Sequence, residues 1–306
     1  MKSLRIIFMG TPEFAVASLA ALVNSRHTVI AVVTAPDKPQ GRGLKLQASP
    51  VKEFAVSRDL PVLQPEKLKS EAFLEALRDL NADLFVVVAF RMLPEVVWSM
   101  PPMGTYNLHA SLLPAYRGAA PINWAIINGE TETGITTFRI QQEIDTGNIL
   151  FRESEPIHPT DDAGTLYDRL MNRGAALVAR TVDAIADGNF TEIPQPQHAG
   201  DLPKAPKIFR ETCEIDWNRN SKQVIDHIRG LSPYPAAWTI LNGKACKVYK
   251  AKVSDGKKEA VPGSIHTDNR QLLEVRTADG WVAIEELQPE GKKRMTTAAF
   301  LAGNRI

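Results

Sequence analysis

Residues 1–23, MKSLRIIFMGTPEFAVASLAALV, hold the reading that decides the fold. Leu4 to Phe8 is apolar, Gly10-Thr11-Pro12 breaks the run, and Phe14, Val16, Leu19, Leu22 and Val23 then recur at roughly helical spacing. A strand, a tight turn and a helix explain that order better than a secretion signal, because Thr11-Pro12-Glu13 interrupts the apolar stretch. Val29 to Val33 and Leu84 to Ala89 are further apolar runs without period-two alternation. Strands of that kind are buried on both faces, as in a parallel sheet covered by helices. The fold class expected for the first part is therefore α/β, with a wound, mostly parallel sheet.

Outward from this core, Asp37 to Leu46 reads as a charged loop containing Gly41-Arg42-Gly43, and Pro50 opens a short helix to about Ser57. A helix is expected over 70–80, and strands over 105–109, 135–140 and 149–153. An amphipathic helix over 161–187 follows, with Thr160, Asp161 and Asp162 available for its cap. Periodicity fails from Asn189 to Pro206, where Pro194, Pro196, Pro203 and Pro206 cluster, so 190–206 reads as a linker between domains 1–189 and 207–306. Beyond it, Glu214 to Trp217 resembles a strand and Ser221 to Arg229 a helix ended by Gly230. Short β-like pieces at 237–241, 245–252, 272–277 and 280–284 point to a small, OB-like β-barrel.

The 306 residues are 44% apolar and 23% charged, which excludes wholesale disorder, and no run of 18 apolar residues exists to span a bilayer. Two cysteines, Cys213 and Cys246, exclude a disulfide scaffold and suggest a reducing compartment, so the expected location is the cytoplasm without membrane attachment. The net charge of +1 conceals a split. Residues 1–206 hold 19 basic and 23 acidic side chains, whereas 207–306 hold 17 and 12, or +5. A basic module of that size attracts a polyanion, although a solubilising surface has the same composition.

Three places bear chemistry. Asn107 and His109 end an expected strand two residues apart, so they share a face at the carboxyl edge where α/β folds bind ligands. An imidazole exchanges protons near neutral pH, and a carboxamide donates to an oxygen that is gaining charge, which suits group transfer through a tetrahedral intermediate. Asp145, before Thr146-Gly147, is either an Asx turn or the partner that fixes the His109 tautomer. The loop Ser111-Leu112-Leu113-Pro114-Ala115-Tyr116-Arg117-Gly118 suits a pocket for a flat heterocycle or, equally, a turn packed on the core. No GxGxxG fingerprint, GxSxG elbow, HExxH or CxxC pair occurs, which argues against dinucleotide binding, an acyl-enzyme and a metal centre.

The segments IIFMGTPEFAV, DKPQGRGLKLQASPVK (37–52), LPVLQPEKL (60–68), NLHASLLPAYRGAAPINWAIINGETETGIT (107–136), IDTGNIL (144–150) and IDWNRNSKQVIDHIRGLSPYPAAW (215–238) together resemble the methionyl-tRNA formyltransferase family of folate-dependent formyltransferases. The resemblance spans essentially the whole chain and is most specific at NLHASLLPAYRG. It implies a catalytic trio of Asn107, His109 and Asp145 and 10-formyltetrahydrofolate as formyl donor, with no metal. Ser111, Leu112, Leu113 and Pro114 match the folate-site loop, with Phe90 and Met92 as further folate contacts. The acceptor would be initiator methionyl-tRNA, met by Lys38, Arg42 and Lys45 of the 37–46 loop and by Lys207 and Arg210 of the basic barrel. A monomer suffices for this chemistry. Arg139 to Glu143 departs from the family pattern before Asp145. Nucleotide-aminosugar formyltransferases carry the same trio and are the alternative, while a formyltetrahydrofolate hydrolase and a non-enzymatic RNA-binding module are more distant ones.

Overall fold

The computed structural model describes residues 2–40, 45–196, 202–255 and 259–306. In chain order the elements begin β1 (Arg5–Gly10), α1 (Glu13–Val23), β2 (Thr28–Val33), β3 (Lys38–Gln40), β4 (Lys45–Gln47), α2 (Pro50–Val56), β5 (Val62–Leu63), α3 (Glu71–Asp79), β6 (Leu84–Val88), α4 (Glu95–Trp98) and β7 (Thr105–His109). They continue with β8 (Arg117–Gly118), α5 (Pro121–Ile127), β9 (Glu132–Arg139), β10 (Ile149–Pro156), α6 (Ala163–Asp187) and β11 (Lys204–Ala205). After a 3-10 turn at Glu211–Cys213 come α7 (Ser221–Leu231), β12 (Ala237–Leu241), β13 (Lys244–Ser254), β14 (Ile265–Thr267), β15 (Leu273–Arg276), β16 (Trp281–Pro289), β17 (Met295–Thr296) and α8 (Thr297–Leu301). Two compact units result. One comprises Met1–Arg117, Gly134–Glu155 and Tyr167–Pro203, the other Gly118–Thr133, Pro156–Leu166 and Lys204–Ile306.

The first unit is built on a seven-stranded sheet of order β10-β9-β7-β6-β1-β2-β5. The β7, β6, β1, β2 and β5 pairings are parallel, and β9 runs antiparallel to β7. Ile6, Ile7, Phe8 and Met9 are all fully buried, so both faces of β1 are covered, as the unbroken apolar run predicts. Each such side chain contributes roughly 1.5–3 kcal/mol by leaving water. Gly10 permits the tight turn into α1, since a Cβ there would stand 2.6 Å from the Ala15 Cβ and 3.0 Å from the Val88 carbonyl oxygen. From β1 the chain passes outward to β2 and β5, then crosses back to β6 on the other side of β1. In sheets with such a reversal, ligands as a rule bind beyond the carboxyl ends of the strands on either side of it, here β1 and β6.

The second unit carries an antiparallel sheet of order β12-β13-β16-β15-β14, with β17 added to β16. Among the described residues its end strands β12 and β14 are not paired to one another, so the sheet is a half-barrel consistent with an OB-like domain. Val224, Ile228 and Leu231 of α7 fill its core with Val248, Leu273, Val282 and Leu287. The α7 start is closed by a reciprocal capping box between Asn220 and Gln223.

Four local expectations change. Part of the 37–46 segment is a hairpin, with Lys38 opposite Gln47 and Pro39 opposite Leu46. Ala89 leaves β6 because its φ is +46°. Glu214 to Trp217 forms only an isolated bridge, Glu214 to Trp238, because Asp216 accepts from the Asn218 backbone and side chain at 3.0 Å and turns the chain. Gly230 lies inside α7 rather than ending it. Its missing Cβ lets α7 approach α5, where it would stand 2.7 Å from Ile127 Cγ1.

Candidate active site

Strand β7 presents the first two candidates. Leu108 points to α6, meeting the space that a Cβ on Gly174 would fill. Alternation then puts Asn107 and His109 together on the opposite face. Asn107 Oδ1 is buried and has no hydrogen-bond partner among the described residues. A buried, unpaired acceptor is costly, by about 1–3 kcal/mol, and marks a place where a ligand would complete the bonding.

His109 is nine-tenths buried, and its Nε2 lies 2.8 Å from the carbonyl oxygen of Tyr116. A carbonyl only accepts, so Nε2 carries the proton and donates it, leaving Nδ1 with the lone pair in the neutral ring. Nδ1 lies 3.8 Å from Asp145 Oδ2, beyond hydrogen-bonding distance. Thus the Tyr116 carbonyl selects the tautomer, and of the two readings of Asp145 the tautomer-fixing one does not hold. The Asp145 carboxyl group faces Nδ1, the nitrogen that the Tyr116 bond leaves with its lone pair. The sequence carried no signal for this, because a carbonyl role has no side-chain signature.

Three loop residues around these groups hold left-handed backbone: Ala89 after β6, Tyr116 after β7, and Asp145 between β9 and β10, with φ of +46°, +59° and +55°. Strained, over-determined backbone of this kind collects at functional sites. Two residues after Asp145, Gly147 passes so near Arg139 that a Cβ would stand 1.6 Å from its carbonyl oxygen.

The remaining candidates divide by orientation. Ser111 is fully buried and its hydroxyl donates to the Ala115 carbonyl at 2.7 Å, while Leu113 packs with Phe138 and Ile149. These two shape the loop from inside. Leu112 and Pro114 are half-buried. Thr136 braces the same loop, its hydroxyl donating to the Ser111 carbonyl at 2.6 Å and accepting from the Leu113 amide at 3.2 Å. Sequence reasoning missed Thr136. Phe90 and Met92 leave β6 beside β7, since Val87 pairs with Asn107. Phe90 is half-buried under the Arg91 guanidinium, and Met92 is 75% exposed. Ile144, adjacent to Asp145, is also exposed.

Lys38 is exposed on the β3–β4 hairpin, whose base is tied by Asp37 accepting from Lys52 at 2.6 Å and from Gln64 at 2.7 Å. The Lys52 ammonium holds the Asp37 carboxyl below its ordinary range. Arg42 lies outside the described residues. Lys45 is placed by its backbone opposite Gln40. In the second unit, Lys207 and Arg210 are exposed, with their cationic groups over the Phe209 and Trp238 rings at 5.4 and 5.6 Å. Phe209 is itself exposed, so cation and aromatic surface stand side by side.

Neither cysteine resembles a nucleophile: burial raises both thiols, that of Cys246 to about 11. Among the described residues no cluster of three His, Cys, Asp or Glu side chains is arranged to hold a metal, and no helix is long and apolar enough to cross a membrane.

Residues 4–182 match the formyl transferase family and 207–305 the formyl transferase C-terminal domain. The methionyl-tRNA formyltransferase of Parabacteroides distasonis is 57% identical, covering 99% of this chain and 96% of its own. That of Bacteroides fragilis is 54% identical over 99% and 95%. The chain belongs to the methionyl-tRNA formyltransferase family. Among solved structures, a sugar 3N-formyl transferase, WlaRD, superposes with a TM-score of 0.68 at 19% identity, covering 96% of this chain and all of its own. HypX from Aquifex aeolicus, in complex with tetrahydrofolic acid, gives 0.62 at 20% identity, over 98% of this chain and 47% of its own. At that identity the likeness is one of fold. The formyltransferase family fold and the basic half-barrel thus occur in one chain, as the resemblance implied.

Proposed function

We propose that Asn107, His109 and Asp145 carry out transfer of the formyl group of 10-formyltetrahydrofolate to the α-amino group of initiator methionyl-tRNA, giving N-formylmethionyl-tRNA and tetrahydrofolate. The observation that carries this is the meeting of His109 Nδ1, the Asp145 carboxylate and the unpartnered Asn107 Oδ1 at the carboxyl edge of β7. Relatives of nearly the same length at 53–57% identity support the acceptor.

Nδ1 is the only ring nitrogen free to act, because Nε2 is committed to Tyr116. The neutral ring takes a proton from the attacking amine at Nδ1, and the resulting imidazolium is held by Asp145 and lends positive charge to the formyl oxygen. The Asn107 carboxamide contributes a donor to that oxygen and, through Oδ1, an acceptor for the amine. As the carbon–nitrogen bond to the folate breaks, the Nδ1 proton passes to the departing nitrogen, which returns His109 to its starting state. The donor's flat heterocycle would lie beyond the carboxyl ends of β1 and β6, where Ser111 to Pro114, Phe90 and Met92 would meet it. The exposed apolar side chains of Met92 and Ile144 favour such a partner.

Lys38, Arg42 and Lys45 would contact the acceptor end of the tRNA, and Lys207 and Arg210 its phosphates. We assign 1–189 to catalysis and folate, 207–306 to tRNA, and the working enzyme to the cytoplasm as a monomer. The test is label transfer from 10-formyltetrahydrofolate to charged initiator tRNA, to the same tRNA uncharged, and to a UDP-aminosugar. Label on charged tRNA alone is expected. Label on the sugar would overturn the acceptor assignment, and release as formate would make the chain a hydrolase.

A further inference from the structure

Gln195 is a buried side chain close to Asp145 for which the mechanism above has no use. It lies in the 190–206 stretch, where the sequence shows no periodic element. Its Nε2 donates to the carbonyls of Asp145 at 3.0 Å and Gly147 at 2.7 Å. Its Oε1 accepts from Arg117 Nη2 at 2.7 Å and Nε at 3.3 Å. One carboxamide thus spends both N–H groups and both lone pairs, which is its full capacity.

The two ends of that amide reach the two loops that present the His109–Asp145 pair. One end grips the carbonyls of the Asp145 turn. The other grips Arg117, the neighbour of Tyr116, whose carbonyl holds His109 Nε2. The strand-like stretch around Gln195 is itself anchored. Ile193 and Ile149 exchange two backbone hydrogen bonds of 2.8 Å. Glu192 accepts from Asn148 Nδ2 at 2.9 Å, Arg139 Nη1 at 3.3 Å and the Tyr106 hydroxyl at 3.4 Å. The Asp145 turn is left-handed at Asp145 and passes close to the Arg139 carbonyl at Gly147.

We propose that Gln195 is a positioning residue that sets the separation of His109 and Asp145 by tying the Asp145 turn to the loop of Tyr116 and Arg117. This rests on the catalytic reading above. The residue type follows from the contacts. Glutamate would keep Arg117 but turn two donor contacts into oxygen–oxygen repulsion and add an anion beside Asp145. Asparagine is one methylene too short to reach both loops. A displacement of about 1 Å at such a pair lowers rate by about a hundredfold.

The experiment uses the full-length enzyme in single turnover, with enzyme in excess over initiator methionyl-tRNA. Gln195→Glu, which retains its Arg117 partner, and Gln195→Met, which removes both ends, are each made in the wild-type and Asp145→Asn backgrounds. Expected are rate losses of about 10- to 100-fold in the wild-type background. Half-saturation by folate and by tRNA should stay within about threefold, and the Gln195→Glu melting temperature should fall by no more than about 10 °C, leaving the enzyme folded at the assay temperature. In the Asp145→Asn background the added loss should be under about threefold, because the group being positioned is already disabled. A wild-type rate in Gln195→Glu, a loss confined to half-saturation, or equal fold-losses in both backgrounds would overturn the proposal. Should Gln195→Met fail to fold, Gln195→Glu decides alone. An Asp145→Asn enzyme as fast as wild type defeats the catalytic reading instead, which separates the two failures.

Discussion

Two histidines, one in each unit, are buried to nearly the same degree, and their surroundings differ. His109 ends a parallel strand, gives its Nε2 proton to a carbonyl, and turns Nδ1 toward a carboxylate 3.8 Å away. His227 sits on α7 over the half-barrel, its Nε2 buried with no partner among the described residues. Burial lowers the His227 pKa below its ordinary 6.5; Arg219 lowers it further, while the Cys213 and Glu214 backbone and Asp216 pull the other way. Burial alone therefore does not make an imidazole a catalyst. On the proposed reading a committed tautomer and an opposing carboxylate do, because proton transfer needs one nitrogen held and the other available.

The comparison breaks most sharply at His109 itself. His109→Ala should lower turnover by about 10²–10⁴-fold with little change in melting temperature, whereas His227→Gln should leave turnover within about twofold. Formylation assays beside thermal melts distinguish them, and equal losses in both would erase the contrast. Next in size is Asn107→Ala, expected to cost about a hundredfold, or roughly 3 kcal/mol, in kcat and far less in folate binding. A loss expressed only in the folate KM would remove Asn107 from the oxyanion role.

Two glycines sharpen the same division between the units. Gly147→Ala and Gly230→Ala each force a Cβ against a neighbour, the Arg139 carbonyl in one and Ile127 in the other. The first should lower kcat at least tenfold by moving Asp145. The second should lower the stability of the half-barrel by about 1–3 kcal/mol while leaving kcat below the melting transition unchanged. Urea unfolding and steady-state rates on the two variants separate these outcomes.

Smaller effects belong to the surface and to pH. Lys207→Ala with Arg210→Ala should raise the tRNA KM several-fold and flatten its log–log dependence on salt by about one for each charge removed. An unchanged slope would place the phosphates elsewhere. His227 gives the smallest effect and a signed one. Its folded pKa lies below the unfolded value, so the unfolded chain binds the extra proton first as pH falls. Stability should be fully present above about pH 6.5 and decline below it, and His227→Gln should decline less. Denaturant midpoints between pH 7.5 and 5 measure this directly.

Much of this was legible along the chain. The apolar run before Gly10, the Asp162 cap of α6 and the two-residue spacing of Asn107 and His109 all act through neighbours a few positions apart. What escaped reading depends on close approach. Gly230 looks like a helix stop because glycine usually is one, and only the nearness of Ile127 gives it a packing role. The stretch 190–206 looks featureless because its prolines abolish periodicity, while Glu192, Ile193 and Gln195 bond to residues far back in the chain.

The sequence by itself determined the α/β core and the basic antiparallel module, for which local pattern and side-chain chemistry suffice, and it offered Asn107, His109 and Asp145 as candidates through the family resemblance. Only the tertiary structure decided which nitrogen of His109 holds its proton, through a carbonyl seven residues on, and which amide joins the Tyr116–Arg117 loop to the Asp145 turn, across separations of 50 and 78 residues. Hydrogen bonds between distant segments leave no period and no motif in the chain, since their partners meet only when the sheet has brought the strand ends together.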